Sequence, residues 1–287
     1  MQLKSMAKIN LGLDVTGVRE DGYHEVRMVM QTIHMYDLLD IEPSEKPGVR
    51  IQTNLPFLPT DGRNLAVRAA DMLLKAFDIP EGVEIKLSKR IPVAAGLAGG
   101  SSNAAAVLVG VNRLFRLGLT EEELMKYGAA LGADVPYCVM RGTALAEGIG
   151  EILTPLPEMP PCLILIGKPP VSVSTKYVYE NLDRVGVPAH PDIDGMVQAI
   201  RDGSLEGIVS RMENVLERVT IPDYPVIEEI RQLMLAGGAS GARMSGSGPT
   251  VFGIFEDQGT AERAAERLRG SGLAKRVFLT RPFQINR

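Results

Sequence analysis

Apolar and polar residues alternate along the first segment of the chain, residues 7–15. This period of two predicts a β-strand, because successive side chains of a strand point to opposite faces. The apolar face carries Ile9, Leu11, Leu13 and Val15. The opposite face carries Lys8, Asn10 and Gly12.

A second alternating run, residues 83–87, predicts a strand that leads directly into a segment of very small residues. Other apolar or alternating runs predict strands at residues 28–33, 38–42, 49–53, 143–146, 162–166, 250–255 and 275–279. Apolar residues at helical spacing predict helices at residues 65–77, 103–117, 121–131, 193–200, 205–216, 226–235 and 260–268. We expect Asn64 to cap the first of these helices, and Thr120 with Glu123 to form a capping box for the third. The pattern as a whole predicts an α+β fold.

A cluster of prolines at residues 155–161 is the best candidate for a linker. It divides a strand-rich first half, with helices packed on it, from a second half rich in βαβ units. We therefore predict a first domain of residues 1–157 and a second of residues 158–287.

The composition excludes several classes of protein. The chain has 287 residues, of which 45% are hydrophobic and 23% are charged, as in ordinary globular proteins. A net charge of -4 predicts no nucleic-acid partner, and no apolar run is long enough to span a membrane. The first residues show no secretory signal. Cys138 and Cys162 are too few for a disulfide framework or a metal cluster, and they are expected to be buried, inert thiols. These features predict a soluble, cytoplasmic protein; they do not determine its oligomeric state.

The small-residue segment, residues 91–108, contains Gly96, Gly99 and Gly100, followed by Ser101 and Ser102 at the start of an alanine-rich helix. Glycines allow close backbone approach, and the free N–H groups of a helix start attract anions. The segment is therefore a candidate phosphate-binding loop, although a plain strand–helix connection is the alternative. The Walker, dinucleotide-binding and protein-kinase patterns are all absent.

Three further features add candidate chemistry: Lys8, Asp134 before a proline, and a second glycine–serine loop at residues 243–250. Each has an ordinary structural explanation, respectively a solvated lysine, a turn aspartate bonded to its own backbone, and a tight turn. Their occurrence together with the first loop favours a site that handles phosphate.

At this point the chain resembles the GHMP-type small-molecule kinases, named for galactokinase, homoserine kinase, mevalonate kinase and phosphomevalonate kinase. Three blocks carry the resemblance, residues 8–13, 92–105 and 244–253, and the middle one contains the P-x-x-x-G-L-x-x-x-S-S pattern. Residues 7–11, 21–24 and 132–136 resemble in particular the members that act on a cytidine-diphosphate-linked polyol. Ala98 departs from the family, because many members have glycine there, and an alanine restricts the backbone if that position needs a positive φ.

The resemblance implies a two-domain GHMP kinase fold. Its N-terminal domain resembles ribosomal protein S5 domain 2, its C-terminal domain is ferredoxin-like, and the active site lies in the cleft between them. It further implies transfer of phosphate from ATP, with Mg²⁺, to the tertiary 2-hydroxyl of the polyol, in mevalonate-independent isoprenoid precursor synthesis.

The resemblance also implies roles for particular residues. Asp134 is the expected general base, Lys8 its electrostatic partner, and Asn10 a ligand of the polyol. Tyr23, His24 and Tyr179 are expected to line the cytosine pocket. The expected ATP-binding residues are Pro92, Val93, Ala94, Ala95, Gly96, Leu97, Ala98, Gly99, Gly100, Ser101 and Ser102. A Ser101 or Ser102 hydroxyl is expected to reach the metal; its other ligands are unknown at this point.

Two alternatives remain. The first is another GHMP kinase, such as one of the mevalonate type, against which residues 21–24 argue. The second is a non-catalytic nucleotide-binding regulator, against which the presence of both Lys8 and Asp134 argues.

Overall fold

The structure is a computed structural model, and it describes residues 1–285. The chain forms two compact units, and each of them is assembled from separate stretches of sequence. The first unit comprises Met1–Ala7, Met35–Val93 and Ala98–Arg141. The second comprises Lys8–His34, Ala94–Leu97 and the chain from Gly142 onward. The mixture of helices and strands confirms the α+β class, whereas the division at residue 157 stays a prediction.

Two long strands, β1 (Gln2–Val18) and β2 (His24–Ser44), pair with each other, and each contributes residues to both units. The predicted strands at residues 28–33 and 38–42 are parts of β2. The sequence pattern separates them at His34, an exposed residue that interrupts an otherwise buried run. The strand continues through this position because its backbone pairing does not depend on which side chains are apolar.

The first unit contains two further strands and four helices among the described residues. Their bounds are β3 (Val49–Thr53), α1 (Leu65–Ala76), β4 (Gly82–Ser88), α2 (Gly99–Leu114), α3 (Glu121–Ala129) and α4 (Asp134–Met140). The second half of β2 pairs antiparallel with β4, from Leu38 opposite Ser88 to Ser44 opposite Gly82, and β4 pairs parallel with β3. The Asn64 cap of α1 and the Thr120–Glu123 capping box of α3 are both confirmed.

Strands of the second unit belong to two sheets, one of which is the β2 sheet that also contains β3 and β4. The remaining strands of this unit are β5 (Thr143–Glu147), β6 (Ile152–Leu156), β7 (Leu163–Lys168), β8 (Gly241–Met244), β9 (Val251–Phe255) and β10 (Arg276–Thr280). Its helices are α5 (Thr175–Val185), α6 (Ile193–Arg201), α7 (Leu205–Val209), α8 (Glu217–Asp223), α9 (Val226–Ala236) and α10 (Gln258–Ser271). The first half of β2 pairs with β5, and β5 pairs with β6. The other sheet is antiparallel in the order β10-β7-β9-β8, which with its helices is the ferredoxin-like arrangement.

Two helical predictions for the second unit were incomplete. The predicted helix at residues 205–216 is only the short α7, and α8 begins after a non-helical stretch around Asn214. Helix α5 was not predicted, although Val178, Leu182 and Val185 repeat at helical spacing. In the described part of the chain, every helix is too short or too polar to cross a lipid bilayer.

Candidate functional site

Strand β1 is buried on both faces, although its sequence alternates. Lys8 is 4% exposed and Asn10 is 1% exposed, so Lys8 is not the solvated lysine of the ordinary explanation. The Lys8 ammonium donates a hydrogen bond of 2.6 Å to Asn10 Oδ1, as side chains two residues apart on one strand face can do. A buried ammonium is costly unless it is hydrogen-bonded. The pair therefore holds a positive charge in a fixed place within the second unit.

The second glycine–serine loop contacts this strand through Ser245, which is fully buried. Its Oγ accepts a hydrogen bond from the Asn10 N–H at 3.3 Å and donates one to the Gly96 carbonyl at 2.9 Å. The Lys8 N–H donates to the Leu97 carbonyl at 3.2 Å. One hydroxyl thus joins three predicted blocks, namely β1, residues 94–97 of the phosphate loop, and the loop at residues 244–250.

Gly96 is required at this junction for two reasons. Its φ is +72°, in the left-handed region. In addition, a Cβ at this position would overlap the carbonyl oxygen of Ser245. Any residue other than glycine at position 96 would therefore force the neighbouring loop to move.

Asn214 positions the same loop, and sequence reasoning missed it. Its Nδ2 donates to the carbonyls of Met244 and Gly246 at 2.9 and 2.8 Å, while its Oδ1 accepts the N–H of Leu216 at 3.0 Å. The sequence signal was a lone asparagine, next to Glu213, near the end of the helix predicted at residues 205–216. Nearby, the Glu217 carboxylate accepts the N–H of Met244 at 2.7 Å, and burial raises the pKa of Glu217.

The start of helix α2, in the first unit, has the geometry of an anion site. The first intrahelical hydrogen bond runs from the Ser102 N–H to the Ala98 carbonyl, at 2.8 Å. The N–H groups of Gly99, Gly100 and Ser101 precede that bond and have no carbonyl partner within the helix. The dipole of this sixteen-residue helix adds partial positive charge at the same place. Ser102 is 2% exposed, so the Ser101 hydroxyl is the more accessible of the two.

Ala98 occupies the N-cap position with φ 54° and ψ 27°, in the left-handed region. Residue 98 therefore does use a positive φ, and the alanine adopts it. A left-handed non-glycine residue costs about 1–2 kcal/mol. The loop therefore carries local backbone strain immediately before the anion site.

A buried polar cluster lies beneath the start of α2, and the sequence patterns did not predict it. The Lys89 ammonium forms an ion pair with Asp37 and donates to Asn103 Oδ1 at 3.0 Å. The other Asp37 oxygen accepts the N–H groups of Arg90 and Ile91, at 2.6 and 2.8 Å. Asp37 also accepts from Asn103 Nδ2, at 2.9 Å. One carboxylate thus holds the chain just before the phosphate loop and the helix just after it.

Asp134 is the first residue of α4 and is half-buried in the first unit. The chain turns into this helix at Gly132, whose carbonyl accepts the Val135 N–H at 3.0 Å. Pro136 lies in the first turn, a position that needs no N–H donor. The sequence therefore places a carboxylate at a well-defined helix start.

The predicted cytosine-pocket residues lie in the second unit. The His24 and Tyr179 ring centroids are 4.9 Å apart, with planes inclined at 44°. Tyr23 is 60% exposed, so its ring is available to a ligand. Asp183, which sequence reasoning missed, lies 2.8 Å from His24 Nε2 through its Oδ1.

No group of three or more histidine, cysteine, aspartate or glutamate side chains within residues 1–285 is arranged to hold a metal ion. Cys138 and Cys162 are buried and unbridged, and burial raises the pKa of the Cys162 thiol to about 12.

Comparison with known proteins gives consistent results. Family models for the GHMP kinases N terminal domain and the GHMP kinases C terminal match residues 64–142 and 196–273. The chain is similar to the 4-diphosphocytidyl-2-C-methyl-D-erythritol kinases of Lachnospira eligens and Lachnoclostridium phytofermentans. Each is 55% identical, and each alignment covers 99% of this chain and 98% of the relative. A crystal structure of 4-(cytidine 5'-diphospho)-2C-methyl-D-erythritol kinase matches with a TM-score of 0.84 and 36% identity, over 99% of this chain and 100% of that one.

Proposed function

The chain belongs to the GHMP kinase family, and from that premise we propose that it transfers the γ-phosphoryl group of ATP to the 2-hydroxyl of 4-diphosphocytidyl-2-C-methyl-D-erythritol. The observation that carries the proposal is the identity of 55% over nearly the whole chain with relatives named for this activity. The reaction belongs to mevalonate-independent isoprenoid precursor synthesis. Both cysteines are unbridged, which fits a reducing compartment and supports a cytoplasmic location.

The chemistry requires positioning and charge stabilisation more than covalent catalysis. An alcohol is a poor nucleophile at neutral pH, and we assign Asp134 as the group that accepts its proton. We assign Lys8 to stabilise negative charge that develops on oxygen during transfer. Its burial favours this role, because an ammonium acts more strongly where water is excluded.

ATP is assigned to Pro92–Ser102, with its phosphates at the N–H groups of Gly99, Gly100 and Ser101. Mg²⁺, when bound, neutralises charge on the phosphates during transfer. Mg²⁺ usually keeps several waters and binds substrate phosphates with few protein ligands. The Ser101 hydroxyl, at the start of α2, is the side chain that would hold such an ion beside the phosphates.

The polyol and the base are assigned to the second unit. Asn10 Oδ1 accepts from Lys8, and its Nδ2 donates to a weak sulfur acceptor, Met28 Sδ, at 3.2 Å. An amide N–H with such a partner can exchange it for a substrate hydroxyl. Tyr23, His24 and Tyr179 are assigned to the cytosine ring, whose faces suit aromatic side chains.

A coupled ADP-release assay tests the proposal. The substrates are 4-diphosphocytidyl-2-C-methyl-D-erythritol, its uridine analogue, untagged methylerythritol phosphate, and mevalonate for the alternative within the family. A site built to bond one base leaves buried groups unpaired when that base is absent, so we expect kcat/KM to fall by roughly 10⁴–10⁵-fold without the tag. Equal efficiency on the first three substrates, or turnover of mevalonate alone, would contradict the assignment. ATP binding without any turnover would indicate a regulator.

A further inference from the structure

The His24 imidazole is held on two sides by residues of one helix, α5. Asp183 Oδ1 lies 2.8 Å from its Nε2, and the Tyr179 ring lies against the imidazole at 4.9 Å between centroids. Tyr179 and Asp183 are four residues apart and so project from the same side of the helix. The His24 side chain is 11% exposed, whereas that of Asp183 is 47% exposed. The imidazole is thus the enclosed partner, and the carboxylate reaches it from the solvent side.

This contact determines which nitrogen of the ring carries hydrogen. An ionised carboxylate can only accept hydrogen bonds, so His24 Nε2 must donate to Asp183. In the neutral ring the other nitrogen, Nδ1, then presents a lone pair and can only accept. We propose that Asp183 is a positioning residue that fixes His24 as its Nε2–H tautomer and so makes Nδ1 an acceptor for the amino group of cytosine.

The consequence is selectivity between the two pyrimidine bases. Cytosine carries an amino donor at position 4, where uracil carries a carbonyl acceptor. An acceptor at Nδ1 bonds to the amino group and opposes the carbonyl oxygen. Asp183 therefore favours cytosine over uracil without touching the base. This inference rests on the proposed function only for the nature of the base.

The connections of α5 favour positioning over an incidental surface contact. An exposed pair of opposite charges contributes little by itself. Here, however, the Ser174 side chain caps the start of the helix, and Thr175 Oγ1 lies 2.9 Å from Ser247 Oγ. Ser247 belongs to the loop whose Ser245 bonds to the backbone of Asn10. The helix that orients His24 is therefore anchored to the same loop that contacts the proposed polyol ligand.

The first test is spectroscopic and needs no substrate. The chain has three histidines, so long-range ¹H–¹⁵N spectra of the imidazoles contain three ring systems, which His34→Gln and His190→Gln variants assign. We expect the neutral His24 ring to show a protonated Nε2 and a bare Nδ1. In Asp183→Ala the ring should show a mixture of the two neutral tautomers, whereas Glu180→Gln should retain the single form. Glu180 lies on the same helix, is exposed, and pairs with Lys176 at 3.7 Å, so its substitution removes an equal charge.

The second test measures binding of cytidine 5′-diphosphate and uridine 5′-diphosphate by calorimetry, without ATP. In Asp183→Ala the ring can also adopt the tautomer whose Nδ1–H cannot accept the amino group, so we expect the cytidine-to-uridine affinity ratio to fall by roughly two- to tenfold, with Glu180→Gln unchanged. An unaltered ring state, an unaltered ratio, or an equal loss for both nucleotides would overturn the proposal. Failure of the proposed function would be seen separately, as a wild-type protein that releases no ADP with the cytidine substrate.

Discussion

The phosphate loop offers two glycines whose substitution by alanine should have opposite effects. Gly100 is the second residue of α2, and a Cβ there would meet only Leu65 Cδ1, at an ordinary 3.9 Å. Alanine is a better helix former than glycine by about 0.5–1 kcal/mol within a helix. The Gly100→Ala variant should therefore unfold with a free energy equal to the wild-type value or greater by up to about 1 kcal/mol.

ATP binding should nevertheless become weaker in Gly100→Ala. The added methyl group projects from the exposed helix start, where the N–H groups of Gly99, Gly100 and Ser101 are available to phosphate. If it displaces the phosphate from one of these donors, a charge-assisted hydrogen bond of about 1.5–3 kcal/mol is lost. The dissociation constant for ATP should then rise by roughly 10- to 100-fold, with affinity for the cytidine substrate retained.

Gly96→Ala is the matched control, because its effect is on the fold. The left-handed backbone alone costs about 1–2 kcal/mol for alanine, and overlap with the Ser245 carbonyl adds to this. We expect a lower unfolding free energy in urea and weaker binding of both ligands. Calorimetry on each ligand, with urea unfolding of each variant, separates the two cases. If Gly100→Ala binds ATP normally, or loses stability and both affinities together, phosphate does not approach this helix start as proposed.

Three further tests concern catalysis, strain and pH. Asp134→Asn and Lys8→Met should each lower kcat by roughly 10²–10⁴-fold while ATP still binds in calorimetry, and near-wild-type turnover would remove the residue from the mechanism. Ala98→Gly should change the unfolding free energy in urea by less than about 1 kcal/mol. Glycine relieves the strain of the left-handed backbone, but it also gives the unfolded chain more conformational freedom, and the two effects oppose each other. A larger loss of stability would mean that the alanine methyl group makes stabilising contacts. The wild type should lose unfolding free energy as pH rises from 4.5, the ordinary pKa of a glutamate, through the raised pKa of Glu217, because it must then bury a charge. Glu217→Gln carries no such charge, so its stability relative to wild type should increase over this pH range. A stability difference that does not change with pH would contradict this.

The features that could be predicted from the sequence are those encoded locally. The cap at Asn64 and the capping box at Thr120 depend on residues within three positions of each other, and both are present as predicted. The glycine–serine segment predicted a helix after it, but α2 begins at Gly99, four residues before the predicted start at residue 103, so the segment forms the first turn of the helix. The alternation placed Lys8 on one face of a strand and the family resemblance implied its role, but only the structure shows that its ammonium is buried.

The features that could not be predicted depend on contacts between distant residues. Asp183 follows His24 by 159 positions, and Lys89 follows Asp37 by 52, so no local pattern relates the members of either pair. Asn214 shows how a tertiary contact overrides a local period. The apolar spacing of residues 205–216 favours a helix, but the Asn214 side chain bonds to two carbonyls of the glycine–serine loop, and the helix ends earlier.

The backbone of the phosphate loop gives a physical reason for the buried Asp37 cluster. Ala94, Gly96 and Ala98 all have φ between +50° and +72°, and for the two alanines this conformation costs about 1–2 kcal/mol each. Such strain persists only where the surrounding structure holds it. Asp37 holds the backbone just before this segment and, through Asn103, the helix just after it. A buried ion pair is weak evidence for stability in itself, because burial of the charges is costly. Its value here lies in fixing both ends of a strained loop, so that the N–H groups at the start of α2, where we propose that ATP binds, are held in place.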